Sequence, residues 1–272
     1  MERNGLPFES QGIFLTNVVS HISMLFPVLQ LIRRKWVLEA CVGGFAVFTS
    51  FMYHLTQALQ TTIFMEELQW HFLDNIGAIS AFAVLFTYAS CIRDAQTESW
   101  LKLIFVLFAL VVQMPHPWDV QYTFGPIGLF SLMPVVSFLY KVIFFSPENS
   151  NKSTSFPPPQ QQSSFLARAQ HVFSTSYHVK EIAIGGGALC VALFFFSLGL
   201  DEKHDPYRVY HGMWHVCGGF SSLHLWRIVK DPIANDVVEA VERIQKEKGE
   251  KKLFGSSVSG GVVPVVVTSG EE

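Results

Sequence analysis

Charge is scarce in this chain. Asp, Glu, Lys and Arg make up 15% of its 272 residues, and 19 basic side chains against 22 acidic ones leave a net charge of −3. That balance supplies no basic face for phosphate contacts, so nucleic acid is not expected as a partner. Cysteine is scarcer still. Cys41, Cys91, Cys190 and Cys217 form no CxxC pair, which leaves neither a disulfide framework nor a zinc ribbon. They read as packing residues in or beside apolar runs, with Cys217 set apart only by its place two residues after His215. The first apolar run lacks the basic leader and the short apolar segment of a cleavable signal peptide, so it reads as a retained span. What is abundant is apolar surface: 50% of the residues are hydrophobic and 25 are Phe. This is the profile of a polytopic membrane protein rather than of a soluble domain around one core.

A helix needs about 20 apolar residues to cross the hydrocarbon. Seven segments approach that length: Gly12–Ile32, Trp36–Leu59, Leu68–Ser90, Trp100–Met114, Gly125–Phe145, Ile182–Leu200 and Tyr207–Val229. The expected fold is an all-α, seven-transmembrane helix bundle occupying residues 12–230. The fourth segment is the shortest. It makes only ~22 Å of helix, and it needs flanking residues, local thinning or snorkelling by Lys102 to span. Pro126 and Pro134 predict a capped start and a kink in the fifth. Gly43-Gly44, Gly185 to Gly187 and Gly218-Gly219 predict close helix approaches. With residues 1–11 outside, 16 of the 19 Lys and Arg fall on the inner side and only Arg3, Lys203 and Arg208 on the outer. The expected topology is therefore N-out, C-in. The Pro/Gln/Ser-rich stretch from Ser146 opens a cytoplasmic loop that runs to Val179, with a disordered beginning and a short amphipathic end from Phe165. The Asn151 sequon lies inside and is expected to carry no glycan. Residues 231–272 form a cytoplasmic tail with one amphipathic helical stretch and a disordered end.

Five polar residues interrupt these spans. Ser50 and His54 lie in the second, Asp74 in the third, and His211 and His215 in the seventh. Intramembrane ionisable groups are rare and mark functional sites by default. The i, i+4 spacing of Ser50/His54 and of His211/His215 stacks each pair on one helix face. Counted from the outer ends of their spans, Ser50 and His54 lie ~15 and ~9 Å deep, Asp74 ~10 Å, and His211 and His215 ~8 and ~14 Å. Five residues at matching depth on three spans point to one cavity opening toward the outer or luminal leaflet. Three neutral imidazoles suit Zn²⁺ and leave a fourth position for water. Asp74 can take a proton from that water, and Ser50 can bond the water or a ligand imidazole. Taken singly, each residue has a plainer role: a lone intramembrane His bonds a neighbouring helix, and a Ser in a span bonds its own i−4 carbonyl. His21, His71, His116 and His224 are set aside, with His71 one turn from Asp74 and His116 nearest the mouth. Glu39, near the inner end of its span, is expected to pair with a Lys or Arg.

The pattern Ser-x-x-x-His, then Asp early in the next span, then His-x-x-x-His in the last, resembles the CREST superfamily. That group contains alkaline ceramidases, adiponectin-type receptors, GPI-anchor remodelling lipases and the transmembrane-protein-8 and myomaker branch. The stretches LQWHFLDNIGAISAF, FGPIGLF and YHGMWHVCGGFSSL look most like the last branch, and the resemblance runs from about Leu31 to Arg227. It implies zinc on His54, His211 and His215, a water supported by Ser50 and Asp74, and hydrolysis of a lipid ester or amide. The substrate class implied is a ceramide-type amide or a GPI or phospholipid acyl linkage. Because the branch includes a cell-fusion protein, a fusion factor or receptor-like module with a structural zinc is the competing expectation. Metal transport fits least, since no polar residues continue inward from the site. Cleavage is expected at an acyl linkage rather than a phosphodiester. No acyl-enzyme is expected on Ser50, because no base stands ready for it while His54 is a ligand.

Overall fold

The apolar runs fold as helices. The computed structural model describes residues 12–115, 119–144, 164–201 and 203–230, nearly all in one unit that ends at Val229. Among these residues there are eight helices and, apart from two isolated bridges, no β-pairing. They are α1 (Phe14–Arg33), α2 (Val37–Leu59), α3 (Glu67–Ala89), α4 (Ala95–Gln113), α5 (Val120–Phe144), α6 (Phe165–Ser176), α7 (Val179–Gly199) and α8 (Val209–Leu225). The first turns of α1 are irregular, π over Phe14–Val18 and 3-10 over Val19–His21. The short α6 occupies the expected amphipathic stretch. Six helices, α1 to α5 and α7, are long and apolar enough to cross a membrane. The seventh candidate, α8, has 17 residues and a length of ~25 Å. It starts late because the buried Asp205 carboxylate accepts the N–H groups of Val209 and Tyr210 at 2.7 and 2.9 Å. That fixes the N-terminus there and leaves Tyr207 and Arg208 outside the helix.

Several boundaries differ from expectation. The fourth span begins at Ala95, not Trp100, because Asp94 caps it by accepting the Thr97 N–H at 2.7 Å. Its 19 residues need no snorkelling. Lys102 is in fact buried, clamped at 2.5 Å by both Glu39 and Glu98, which is also the partner expected for Glu39. Pro126 does not start the fifth helix. It lies inside α5, as Pro134 does, and α5 begins six residues before it. The segments at 145–163, His116 and residues 231–272 fall outside the described residues, and with them the sequon, most of the Pro/Gln/Ser stretch and the tail helix.

Helices α2 and α3 are half buried, whereas little of α4, α5 or α7 is. The bundle is thus centred on α2 and α3, which pack on each other. Around them α1 packs on α2 and α8, and α8 lies along α7. Glycines set how closely these helices meet, Gly77 and Gly219 among them. A Cβ on Gly77 would stand 2.7 Å from the Ala46 Cα, and one on Gly219 would stand 2.7 Å from the Ser23 backbone. Any side chain there forces α3 off α2, or α1 off α8. The approaches expected at Gly186, Gly187 and Gly218 are not made, since nothing lies within 4 Å of a Cβ at any of them. Gly218 instead faces a cavity.

Candidate metal centre and its cavity

Asp205 does more than start α8. Its carboxylate also reaches the His211 N–H at 3.4 Å, so the first imidazole of α8 is carried on a capped, rigid turn. One turn on, the His215 carbonyl accepts from Ser23 of α1 at 3.0 Å. His54 is buried on α2, five residues before the helix ends. The three rings meet: centroids are 4.7 Å apart for His54 and His211, 4.9 Å for His211 and His215, and 5.0 Å for His54 and His215. The Nε2 atoms of His54 and His211 are 3.1 Å apart. Three imidazoles on one tetrahedral zinc, at 2.0–2.1 Å per bond, put ligand nitrogens about 3.3 Å and ring centroids about 5 Å apart. The ring spacings, and the one nitrogen pair at 3.1 Å, match those values.

A fourth imidazole stands in the cluster, and the reading of the sequence had set it aside. His21 of α1 is buried, with its ring centroid 4.0 Å from that of His215 and 5.4 Å from that of His54. Ligand atoms of His21, His54 and His215 all lie within 4.8 Å of one another, close enough to share a metal ion. Its Nδ1 is 2.6 Å from the Asn17 carbonyl and its Nε2 3.0 Å from the Ser50 hydroxyl. This overturns the premise that no base stands beside Ser50. Ser50 and Asp74 line the same cavity. The signal was present: Asn17 and His21 are an i, i+4 polar pair in an apolar span, spaced like Ser50/His54 and His211/His215. Nine residues into the span from Gly12, His21 lies ~14 Å deep, level with Ser50 and His215.

Asn17 also touches the cluster directly. Its side-chain nitrogen is 3.2 Å from His54 Nδ1, while Gln57 Oε1 is 3.4 Å from the same atom. A His that binds metal through Nε2 carries its proton on Nδ1 and needs an acceptor there. Gln57 supplies one. His71 and His224 lie off the triangle. His71 lines the cavity beside Asp74, and His224 pairs with Glu181 at 2.7 Å. Cys217 is a free thiol that does not line the cavity.

The cluster roofs a cavity of about 670 Å³. Ser50, His71, Asp74, His211 and His215 line its polar end, and Leu31, Leu85 and Trp226 its apolar end. Small residues leave room for it: Ala78 and Ala81 on α3 and Gly218 on α8 line the space, and nothing stands within 4 Å of a Cβ at Gly218. On α3 the lining residues His71, Asp74, Ala78, Ala81 and Leu85 recur at three- and four-residue steps, the stripe of one helix face. A family model for proteins of unknown function, DUF3522, matches residues 11–216. The chain belongs to this family. The match takes in Asn17, His21, Ser50, His54, Asp74, His211 and His215, and therefore the whole cluster. No curated protein matches the chain.

Proposed function

We propose that the protein is a zinc-dependent hydrolase of membrane lipids that cleaves an ester or amide at an acyl linkage. The observation that carries this is a triangle of imidazoles beside a carboxylate and a hydroxyl, set over an apolar cavity of about 670 Å³. His54, His211 and His215 would hold the ion. When bound, it lowers the pKa of water to about 7 and polarises a carbonyl. Asp74 then takes a proton from the attacking water as its oxygen bonds the carbonyl carbon. The same proton passes to the leaving alkoxide or amine when the C–O or C–N bond breaks, so the products are a fatty acid and an alcohol or amine. The acyl chain lies along the cavity, walled from water. The likeness to the CREST superfamily supports this reading, as does the depth of the site, where lipid carbonyls rather than phosphates are found.

In this reading α8 is a seventh span. Its ~25 Å is completed by the capped turn before it and the residues after Leu225. Residues 1–11 are outside or luminal and the tail is cytoplasmic, as the Lys and Arg asymmetry favours. The membrane is the plasma membrane or one of the secretory pathway. The test is product release from labelled ceramides, GPI-linked lipids and phospholipids by purified protein. Wild type is expected to release fatty acid, and Asp74→Asn and His211→Ala to release none. Release at equal rates by all three, or phosphodiester products, refutes the proposal. A second reading has one observation behind it: an ion held by His21, His54 and His215 would tie α1, α2 and α8 together in a non-catalytic fusion or receptor-like protein. Full metal occupancy with no lipid turnover would favour it.

A further inference from the structure

Ser50 has one proton to give, with His21 3.0 Å away and Asp74 lining the same cavity. The geometry of His21 decides where that proton goes. Its Nδ1 faces a carbonyl at 2.6 Å, and a carbonyl can only accept, so Nδ1 carries the ring's proton. Nε2 of the neutral ring is then a bare lone pair, and at 3.0 Å it accepts from the Ser50 hydroxyl. We propose that His21 is the positioning residue for Ser50: it accepts the serine's hydrogen bond, so that Asp74 is left to accept from water. The inference rests on the hydrolase reading and adds to it a residue on a helix that contributes neither a ligand nor the carboxylate.

The backbone is shaped for this role. α1 is π-helical and then 3-10 where Asn17 and His21 lie, and such breaks in a helix recur at functional sites. The Asn17 carbonyl accepts from two side chains, Ser20 Oγ at 2.7 Å and His21 Nδ1 at 2.6 Å. Without His21 the Ser50 hydroxyl turns to Asp74 or to a carbonyl of its own helix. The rival role is that of a metal ligand, since its ligand atoms lie within 4.8 Å of those of His54 and His215. Against that role stands the use of both ring nitrogens: Nδ1, which also lies 3.2 Å from His215 Nδ1, holds its proton toward the Asn17 carbonyl at 2.6 Å, and the single lone pair of Nε2 receives Ser50.

The experiment measures metal content and the kinetics of acyl release for wild type, His21→Leu, His21→Gln, His21→Asn, Ser50→Ala and the Ser50→Ala/His21→Leu double variant. All should keep wild-type metal. His21→Leu should lose about 10- to 100-fold in kcat, the scale of one catalytic hydrogen bond, with KM within about twofold. His21→Gln should recover much of the loss, since its Oε1 reaches as far as Nε2. His21→Asn, which reaches only the Asn17 carbonyl, should not. On a Ser50→Ala background, His21→Leu should cost nothing more. Metal loss in His21→Gln makes His21 a ligand and overturns the proposal. Additive losses in the double variant make it a packing residue, and an acyl group trapped on Ser50 makes it a base. Either result also overturns it. A wild type that keeps its metal yet cleaves no lipid removes the hydrolase reading itself, and this inference with it.

Discussion

Replacing Ala81 with Phe should shorten the acyl chain that the protein accepts. Four helices measure the depth of the cavity independently. From His21 to Leu31 is 10 residues, and Ser50 to Glu39, Asp74 to Leu85 and His215 to Trp226 are each 11. At 1.5 Å per residue the floor lies ~15 to 16.5 Å below the cluster. An extended chain advances about 1.3 Å per methylene, from tetrahedral C–C bonds of about 1.5 Å, so about 12 methylenes fit. The floor is rigid: Leu31, Val42, Val84, Leu85 and Trp226 form one buried cluster, with Trp36 and Tyr88 packed on it. Ala81 lines the cavity seven residues below Asp74, or ~10.5 Å down, so a ring there removes ~6 Å, worth four or five carbons. Selection should come from exclusion rather than attraction. A membrane lipid's tail already sits in hydrocarbon, so moving it into the cavity gains little. An overlong chain instead costs about 1–3 kcal/mol of overpacking, roughly 5- to 150-fold in kcat/KM. The assay is release from a C8 to C20 acyl series in mixed micelles, read by mass spectrometry. An unshifted chain-length profile in an Ala81→Phe protein that is folded and keeps its metal refutes the placement of the tail.

Other outcomes follow from the same geometry. Removing one imidazole leaves three-coordinate demands unmet, so His54→Ala, His211→Ala and His215→Ala should each hold well below one metal per chain. Asp74→Asn should hold nearly one, and full occupancy in a His211→Ala/His215→Ala variant would sink both assignments. Asp205→Ala should cost about 1–2 kcal/mol of stability as α8 loses its cap, and metal affinity should fall with it because His211 sits on that turn. Asp205→Asn should recover most of both in a thermal melt and a metal titration. A tag after Glu272 should be protected from protease in sealed right-side-out vesicles, and cleavage of that tag from outside would overturn the orientation.

The architecture was legible because bilayer thickness sets segment length, and apolar runs of that length have few alternatives to a helix. Boundaries were less so. The sequence reading started the fourth span at Trp100 by apolarity, but the helix starts where Asp94 can bond the Thr97 N–H, in a polar stretch that apolarity does not see. Lys102 shows the same limit. Glu98 is one turn away on its own helix, but Glu39 is 63 residues away on α2, and only packing brings that pair together. Expensive polar groups at like depth were readable as neighbours: Ser50, Asp74, His211 and His215 line one cavity, and the His54 ring lies against those of His211 and His215. His21 was missed although it obeys the same two rules, spacing and depth. The first span was read for its length and leader, and its polar stripe of Asn17, Ser20 and His21 was not counted.

The cavity bears on the choice between a catalytic and a merely structural metal. An ion that only ties helices needs ligands and their hydrogen-bond partners. It needs no carboxylate apart from the ligands, and it has no use for empty space below. Interiors are otherwise packed to high density, and voids of this size are costly because the atoms lining them lose their contacts. Here small residues on two helices, Ala78 and Ala81 of α3 and Gly218 of α8, help keep about 670 Å³ open beside the imidazoles. Larger side chains at Ala78, Ala81 or Gly218 would fill that space without disturbing any histidine: nothing stands within 4 Å of a Cβ at Gly218, and Ala78 and Ala81 already face the void. A bundle that needed only a metal tie would be more stable with those positions filled. One that must admit a lipid tail to the ion has to leave them small. Filling the cavity therefore separates the readings. In Ala78→Leu/Gly218→Ala, a structural site should show an unchanged metal content and a raised melting temperature with no other consequence. A hydrolase should show the same metal content and melting behaviour with its activity on long acyl chains lost.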